Sequence, residues 1–376
     1  MSRRIRVAHC IETMHTGGVE QTRLTLARGL DPERYEQIVI CTKALGALPD
    51  QFHALGVDVH PVGTFRTRLD WSRVRAVRRL LADYKPDIVH GGVFEGVVMA
   101  ACGGRLAGVP IVIGEETADP EGRRLSGHLF FRALAAMTDR MVAVSPFVRE
   151  YLVRRLRVPP AKVRLINNGV PEGEQTSPDR LRDLRAQYGI GPGEVVIGSV
   201  GRLFDRQKKV SDIIRSLPLV LRQTPNARLL IVGDGTDRAM LETLAIDTGV
   251  AAAVIFAGYQ ADTRPFFDLM DIFVHAPASE AFGLVVAEAM MAGKPVVATR
   301  VGGIPQVVAE GTTALLVPPA HPEELARALL RLLADPGLAA ELGRAGRTRA
   351  VEQFGWERYV REVDALYGDC LAAKLA

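Results

Sequence analysis

The sequence has 376 residues, of which 48% are hydrophobic, and a formal net charge of +4. This length exceeds one ordinary core and predicts two domains, and so low a net charge argues against a nucleic-acid-binding protein. The basic N-terminus continues into an apolar run that is too short for a signal peptide or a membrane span. We therefore expect a cytoplasmic protein.

The cysteines support the same expectation. Four of them stand far apart in the chain, without a CxxC pair: Cys10, Cys41, Cys102 and Cys370. This usage is typical of a reduced intracellular protein. No group of His, Cys or Asp residues has the spacing of metal ligands, so we expect no metal site.

The first half of the chain alternates short β-branched runs with stretches of helical length. The runs that predict strands are residues 5–11, 37–42, 57–62, 87–91, 110–116, 140–145 and 163–167. Such alternation predicts βαβ units, which form a parallel sheet covered by helices on both faces.

A segment rich in Gly, Pro, Ser and acidic residues interrupts this pattern and predicts a linker at 171–180. The strand pattern then restarts, with runs at 195–201, 227–235, 254–258, 272–278, 295–303 and 314–319. We therefore predict two doubly wound α/β domains, at 1–170 and 181–356. Ligands of such sheets bind at the carboxyl ends of the strands, and a cleft between two domains is a natural site.

The stretch SEAFGLVVAEAMMAGKPVVATRVGG (279–303) carries the clearest chemical signal. It places Glu280 in a loop after a predicted strand and Glu288 on the helix that follows. The free N–H groups of Phe282, Gly283 and Leu284 at the helix start predict an anion site. Because carboxylates accept hydrogen bonds from sugar hydroxyls, the combination predicts a nucleotide sugar, with Glu288 on the ribose and Glu280 on the sugar.

A second stretch supplies fixed cations for the phosphates. Arg202 follows Gly201 at a predicted strand end, and Lys208 lies six residues later. Together they can offset the two negative charges of a diphosphate without a metal. Taken alone, a glycine at a strand end or a glutamate on a helix has an ordinary structural explanation. His275 lies in an apolar strand, which favours its interpretation as a core histidine.

Segments throughout the chain resemble the retaining glycosyltransferases of family 4. These segments are TGGVEQTRLTLARGL (16–30), KPDIVH (85–90), VSPFVREYL (144–152), KVRLINNGV (162–170), VGRLFDRQKK (200–209), LLIVGDGTDRAMLE (229–242) and SEAFGLVVAEAMMAGKPVVATRVGGIPQVV (279–308). The resemblance implies the GT-B fold, in which two Rossmann-like domains face a central cleft and a final helix, about 357–376, packs back on the first domain.

The resemblance also implies an activity. Such an enzyme transfers a sugar from a UDP- or GDP-sugar, with UDP favoured, to a hydroxyl of a glycan, lipid-linked or small-molecule acceptor, with retention and without a metal. Members of the family that the chain resembles commonly act in polysaccharide and glycoconjugate biosynthesis. The leaving diphosphate would help to deprotonate the acceptor, while the protein supplies positioning and charge stabilisation.

Family motifs assign roles to individual residues. Arg202 and Lys208 would hold the diphosphate, while Glu288 would bind the ribose and Glu280 the donor sugar. The first-domain loop would lie near the phosphates, and backbone groups of the second domain would recognise the base. The residues of these two groups are Gly17 and Gly18 for the loop, and Gly233, Gly235, Gly258 and Tyr259 for the base.

The chain also departs from the family pattern. Thr117 stands where many members carry a His that contacts the donor sugar, so Glu115 or Glu116 is an alternative on the acceptor side. His90 matches a common family His and is either functional or structural. Gln306 stands where Glu is usual, which removes a charge but keeps an acceptor.

The acceptor side offers one further feature, a basic segment at 65–85. It predicts a helix whose apolar face is formed by Trp71, Val74, Val77, Leu81 and Tyr84. Arginines lie mostly elsewhere on this helix, and others cluster at 123–124 and 154–157. The sequence favours an ordinary helix whose apolar stripe packs on the core and whose basic face is solvated, and the alternative is contact of the basic face with anionic headgroups at the inner face of a membrane.

Two other functions share this architecture. A sugar-nucleotide 2-epimerase has the same fold, but we expect it to lack the two-glutamate pattern followed by GKPVVAT. A non-catalytic nucleotide-sugar-binding module is expected to lose Arg202, Lys208 or one of the two glutamates, and all four residues are present.

Overall fold

The computed structural model describes residues 3–15, 17–118 and 123–375, the last without its side chain, and the chain divides into two compact units. Unit 1 comprises Met1–Gly169 and Trp356–Ala376, and unit 2 comprises Val170–Gly355. The final helix therefore belongs to unit 1 although it follows unit 2 in the chain.

Unit 1 is built on a seven-stranded sheet in which all neighbouring strands are parallel. Its strands are β1 (Ile5–Met14), β2 (Tyr35–Ala44), β3 (Asp58–Pro61), β4 (Ile88–Gly92), β5 (Ile111–Glu116), β6 (Arg140–Ala143) and β7 (Val163–Leu165). Their order is β3-β2-β1-β4-β5-β6-β7, so the order reverses next to β1 as in a doubly wound sheet.

Helices cover both faces of this sheet. They are α1 (Gly18–Gly29), α2 (Leu48–His53), α3 (Trp71–Tyr84), α4 (Val93–Val98), α5 (Leu125–Met137), α6 (Pro146–Glu150) and, after unit 2, α16 (Trp356–Leu375). Helix α4 continues as a π-helical turn over Met99–Gly104 and α6 as one over Tyr151–Arg155.

Alternate residues of the strands serve two separate cores in unit 1. Val7 and Ile111 belong to a cluster with Leu26 of α1 and with Val363 of α16. The neighbouring strand position Ala8 belongs to a cluster on α3 and the π-helical turn. This follows from the period of two along a strand, which sends successive side chains to opposite faces.

Unit 2 is built on a six-stranded parallel sheet in the order β10-β9-β8-β11-β12-β13. Its strands are β8 (Val195–Val200), β9 (Ala227–Val232), β10 (Val254–Gly258), β11 (Ile272–His275), β12 (Val296–Thr299) and β13 (Leu315–Val317). Its helices are α7 (Pro178–Gln187), α8 (Asp205–Lys208), α9 (Val210–Gln223), α10 (Arg238–Asp247), α11 (Arg264–Leu269), α12 (Leu284–Met291), α13 (Ile304–Val307), α14 (Pro322–Ala334) and α15 (Pro336–Phe354).

One core of unit 2 joins its sheet to α9 and α14. Leu229, Ile231 and Val274 from the strands pack there against Ile214 of α9 and Leu329 of α14. Helix α12, which carries much of the 279–303 stretch, contacts α15 instead. The predicted α/β class with two doubly wound parallel sheets is confirmed.

The predicted linker differs from the structure at one end. Helix α7 begins at Pro178, inside the segment 171–180, because Ser177 caps it by accepting a hydrogen bond from the Arg180 N–H. Within residues 3–15, 17–118 and 123–375, no helix combines the length and the apolar character needed to cross a bilayer.

Candidate functional site

The carboxyl ends of β8 and β11 bring two of the predicted stretches together. These strands are parallel neighbours, so the loops that follow them leave the sheet at the same edge. The Ala278 N–H donates to the Gln207 carbonyl oxygen over 2.8 Å, which joins the loop after β11 to α8. This contact positions Lys208, the last residue of α8, close to Glu280.

Lys208 and Glu280 form an ion pair at this edge. The Lys208 Nζ lies 2.7 Å from Glu280 Oε2, and the His275 Nε2 lies 3.3 Å from the same oxygen. Burial raises the pKa of the Glu280 carboxyl, but the Lys208 ammonium and the His275 ring outweigh it and bring the pKa to about 2. Burial also lowers the pKa of His275. Glu280 is therefore ionised at neutral pH and is held in place from two sides.

Arg202 lies beside this pair without being part of it. A small crevice is lined by residues that include Gly201, Arg202, Lys208 and His275. The Arg202 side chain is exposed, and its guanidinium makes no hydrogen bond or ion pair with any residue that the structure describes. A fixed cation without a partner at a strand end can bind an incoming anion.

Glu288 is the second unpartnered charge of this region. It lies on the second turn of α12 and is partly buried, and its carboxylate contacts no donor within the described chain. Removal from water raises its pKa to about 7. The structure does not bring Glu288 into contact with Lys208 or Glu280.

The start of α12 leaves backbone donors unused. Gly283 precedes the helix with a φ of 101°, in the left-handed region that favours glycine. The N–H groups of Gly283 and Leu284 donate to no acceptor in the described residues, while the side chain of Phe282 is buried against Phe354. These N–H groups can take hydrogen bonds from an anion.

The glycines at the ends of β8 and β9 hold two loops close together. A Cβ on Gly233 would lie 1.9 Å from the carbonyl oxygen of Gly201, and one on Gly235 would lie 2.4 Å from that of Leu203. The Leu203 N–H donates to the Asp234 carbonyl oxygen over 2.9 Å. Both predicted glycines thus shape the Arg202 loop, and Tyr259, beyond β10, is exposed.

In unit 1, three of the predicted acceptor-side residues are buried, namely His90, Glu115 and Glu116. Glu115 pairs with Arg23, and its Oε2 lies 3.1 Å from His90 Nε2. His90 Nδ1 lies 2.9 Å from the hydroxyl of Tyr367 on α16. Burial and Arg23 lower the pKa of His90 to about 4, so the ring is neutral at pH 7.

The charge of Glu115 is compensated inside unit 1. Burial raises the pKa of its carboxyl, but Arg23 and His90 lower the pKa by more than burial raises it, to about 2. This burial favours the structural alternative for His90 and Glu115, and their acceptor-side role stays a prediction.

The remaining acceptor-side candidates lie just after β5. Glu116 is buried and forms an ion pair with Arg123, and it accepts a hydrogen bond from the Ala118 N–H over 3.1 Å. Thr117 is partly buried and makes no hydrogen bond within the described chain. Gly17 and Gly18 begin α1, where the Gly17 carbonyl oxygen accepts from the Gln21 N–H.

Sequence reasoning missed three residues that shape these regions. His275 contacts Glu280, and its signal was its place as the last residue of a strand before the Glu280 loop. Arg23 forms the buried pair with Glu115, and nothing in the helical pattern marked it. Gly302 has a φ of 51°, and a Cβ there would lie 1.8 Å from the Glu280 carbonyl oxygen.

Two family models match the chain. The model described as Glycosyl transferases group 1 matches residues 182–349, and the model described as Glycosyltransferase Family 4 matches residues 16–174. The first match covers the Arg202, Lys208, Glu280 and Glu288 region.

Curated relatives extend the match across most of the chain. The D-inositol 3-phosphate glycosyltransferase of Acidothermus cellulolyticus is 32% identical over 313 residues, which are 77% of this chain and 68% of that protein. A GDP-mannose-dependent alpha-(1-6)-phosphatidylinositol monomannoside mannosyltransferase of Mycolicibacterium smegmatis is 36% identical over 51% of this chain and 52% of its own length. The chain spans only 50% to 59% of the length of this and other curated relatives.

A solved structure shares the fold over the full length. Alr3699/HepE of Anabaena, crystallised with UDP and glucose, superimposes with a TM-score of 0.86 at 21% identity, covering 97% of this chain and 100% of that chain. This likeness shows the fold, and the two family models with the Acidothermus cellulolyticus relative show that the chain belongs to glycosyltransferase family 4, the group 1 glycosyl transferases.

Proposed function

We propose that the protein is a retaining, metal-independent glycosyltransferase that moves a sugar from a nucleotide-sugar donor to an acceptor hydroxyl in glycan, glycolipid or glycoconjugate biosynthesis. One observation carries this proposal. The strand-end edge of unit 2 leaves the Arg202 guanidinium and the Glu288 carboxylate without partners in the described chain. A partly buried carboxylate without a partner is costly unless a ligand satisfies it, whereas the exposed Arg202 guanidinium is free to bind an incoming anion.

The chemistry of these groups matches the parts of a nucleotide sugar. Arg202 and Lys208 bind the diphosphate oxygens, together with the unused N–H groups at the start of α12. Glu288 accepts hydrogen bonds from the ribose hydroxyls, and Glu280 accepts them from the donor sugar. Because Lys208 already contacts Glu280, the same lysine can hold the sugar-binding carboxylate next to the bond that breaks.

The transfer step follows from this placement. The bond between the anomeric carbon and the diphosphate oxygen breaks, and the acceptor oxygen forms the new bond on the same face. The acceptor proton passes to the leaving diphosphate. The two cations stabilise the negative charge that grows on this leaving group, which is the protein's main electrostatic contribution.

We propose a uridine donor as the first candidate and a guanosine donor as the second, since similar proteins offer one example of each. The Anabaena protein of the same fold was crystallised with UDP-glucose, whereas the Mycolicibacterium smegmatis relative is GDP-mannose-dependent. On the acceptor side, Thr117 remains the candidate with the fewest internal contacts, because Glu115, Glu116 and His90 are engaged within unit 1.

A thermal-shift panel of UDP, GDP, ADP and their sugars tests the donor assignment. A ligand that binds only the native state stabilises it by about 2.7 kcal/mol at one hundred times its dissociation constant. We expect a UDP-sugar to raise the melting temperature of the native protein most, and the Lys208→Ala variant to respond less. Equal responses of both proteins, or no response to any nucleotide, would contradict the proposal.

Product analysis separates the competing functions. A transferase releases the nucleoside diphosphate when acceptor or water takes the sugar, whereas a 2-epimerase changes the sugar and leaves the nucleotide sugar intact. A binding module raises the melting temperature without forming either product. Mass spectrometry and NMR of the donor after incubation distinguish the three outcomes.

A further inference from the structure

Arginines connect three neighbouring elements on the outside of unit 1: helix α3, the end of the π-helical turn Met99–Gly104, and helix α5. Arg68 Nη1 donates to Ser126 Oγ over 3.4 Å. Arg78 Nε donates to the Leu106 carbonyl oxygen over 3.3 Å, and Arg105 Nε donates to the Met137 carbonyl oxygen over 2.7 Å. The solvent-exposed side of residues 66–79, 105–106 and 124–137 is therefore one connected surface, which we call the arginine face.

The arginine face is strongly positive. Its exposed arginines are Arg66, Arg68, Arg75, Arg78, Arg79, Arg124 and Arg132. Acidic residues barely offset them: the Asp70 carboxylate caps α3, Asp139 pairs with Arg105, and Asp83 lies at the far end of α3. Residues 99–110 and 123–138 contain no acidic residue. Glu115 and Glu116, which lie between these two ranges, are buried and paired with arginines. Asp119 and Glu121 lie outside the described residues.

Large apolar side chains lie among these arginines. Leu125 and Leu129, one helical turn apart on α5, are 73% and 58% exposed, and Trp71 is 52% exposed. Leu106 and Met137 are also exposed. The sequence pattern wrongly placed Trp71 on the buried face of its helix. Apolar side chains in water that cluster on one face indicate a docking surface rather than a solvated one.

We propose that the arginine face docks the protein on an anionic phospholipid surface. Leucine and tryptophan side chains can enter the headgroup layer, while long arginine side chains keep their guanidinium groups at the phosphates. A second copy of the chain is a poor occupant, because a two-fold contact would place arginines against arginines. A nucleic acid would satisfy the charges and leave the leucines unused.

The position of this face connects docking to the proposed transfer. Helices α3 and α5 follow β3 and β5, so Trp71, Arg68 and Leu125 lie at the carboxyl-end edge of the sheet that also carries Thr117. A docked protein would present this edge to a lipid-linked acceptor. This last step rests on the proposed function, whereas the docking itself does not.

Vesicle flotation without any donor tests the docking directly. The full chain is mixed with vesicles of phosphatidylcholine alone or with about 30% phosphatidylglycerol, at low salt. We expect binding to the anionic vesicles only. The double variant Arg75→Gln/Arg79→Gln should bind the anionic vesicles more weakly, by about fivefold for each arginine removed. The double variant Leu125→Ser/Leu129→Ser should bind them about tenfold more weakly or worse.

Matched variants of unit 2 control for charge and hydrophobicity. Arg222 and Arg331 are exposed there, and Ile246 is 67% exposed. Arg222→Gln with Arg331→Gln, and Ile246→Ser, should bind like the unchanged protein. The proposal is overturned if the unchanged protein does not bind anionic vesicles at low salt. It is also overturned if Leu125→Ser/Leu129→Ser binds them as well as the Ile246→Ser control. Sedimentation showing a dimer that the leucine variant abolishes would assign the face to a second copy instead.

Discussion

Glu115 of unit 1 and Glu288 of unit 2 both lie near the carboxyl-end edge of a parallel sheet, and both are withdrawn from water. Glu115 is paired with Arg23 and His90, and its pKa is about 2 although burial alone would raise it. Glu288 has no partner in the described chain, and burial raises its pKa to about 7. A carboxylate that the fold has compensated serves the fold, whereas one left uncompensated is available to a ligand.

The same contrast extends to the cations of the two edges. Arg23 is enclosed and satisfies Glu115, while Arg202 projects into solvent beside a crevice. Lys208 stands between these cases, because it already pairs with Glu280 and still borders that crevice. The two sheets thus differ in whether the carboxylates and cations at their strand ends are paired with one another, and this difference supports the proposed donor site in unit 2.

The largest effect on stability is expected when the buried ion pair between Arg23 and Glu115 in unit 1 is broken. Glu115→Ala leaves the Arg23 charge buried and unpaired, which should lower the free energy of unfolding of unit 1 by about 3–5 kcal/mol. Both tryptophans, Trp71 and Trp356, belong to unit 1, so fluorescence during urea unfolding reports this unit alone.

The control for this experiment removes both charges. Arg23→Met combined with Glu115→Leu should be less destabilised than Glu115→Ala, because no buried charge then lacks a partner. If Glu115→Ala unfolds at the same urea concentration as the unchanged protein, the pair does not support unit 1 as described.

Removal of a donor-binding charge in unit 2 should have the opposite signature. Lys208→Ala and Glu288→Ala should each reduce turnover at least tenfold while the urea transition of unit 1 stays in place, because diphosphate charge or ribose hydroxyls lose their partner in the transition state. Steady-state rates at saturating donor, with Arg222→Gln as the matched control, measure this. Rates like those of the unchanged protein for both variants would refute the assignment.

The unpaired state of Glu288 also predicts a pH dependence. Its pKa of about 7 lies above the ordinary value of a glutamate, so the folded protein holds this proton more tightly than the unfolded chain. Stability should therefore fall as pH rises from about 4.5 to about 7, and Glu288→Gln should remove that decline. Urea unfolding of the unchanged protein and of Glu288→Gln at a series of pH values measures this, followed by circular dichroism because both tryptophans lie in unit 1.

Donor affinity should change in the other direction with pH. Ribose hydroxyls donate to the ionised carboxylate, so the dissociation constant should increase about tenfold for each pH unit below 7. Calorimetric titration of donor into Glu288→Gln should show weaker binding that no longer follows this profile. A profile that is unchanged in the glutamine variant would mean that another group controls it.

The smallest effect is expected for a change of shape at constant charge. Arg202→Lys keeps the cation and loses the planar pair of N–H donors, so donor KM should increase about fivefold. Initial rates over a donor series measure this value, and Arg222→Lys on α9 is the control. Equal KM values for both variants would show that Arg202 acts only through its charge.

Most of the fold could be predicted from the sequence, because buried parallel strands leave continuous β-branched runs. In the described part of the chain, each of the thirteen strands overlaps such a run, and only their ends differ, as where β1 continues to Met14. The start of α7 was signalled by Ser177 and Pro178, but the surrounding composition of Gly and acidic residues was given more weight.

The candidate site could be predicted only in part. Glu280, Glu288, Arg202 and Lys208 follow from a strand–turn–helix pattern, since local spacing fixes their place at the sheet edge. The pairing of Arg23 with Glu115 joins residues 92 positions apart, and no local pattern carries that information. Nor does helical periodicity reveal that Leu125 and Trp71 remain exposed, because exposure depends on what the rest of unit 1 leaves uncovered.

A crystal structure of the protein with a bound UDP-sugar tests the central claim most directly. The account predicts diphosphate oxygens within about 3.2 Å of Arg202 and Lys208, and ribose hydroxyls at the same range from the Glu288 carboxylate. A donor bound elsewhere, with Arg202 still in solvent and Glu288 still without a partner, would contradict the account.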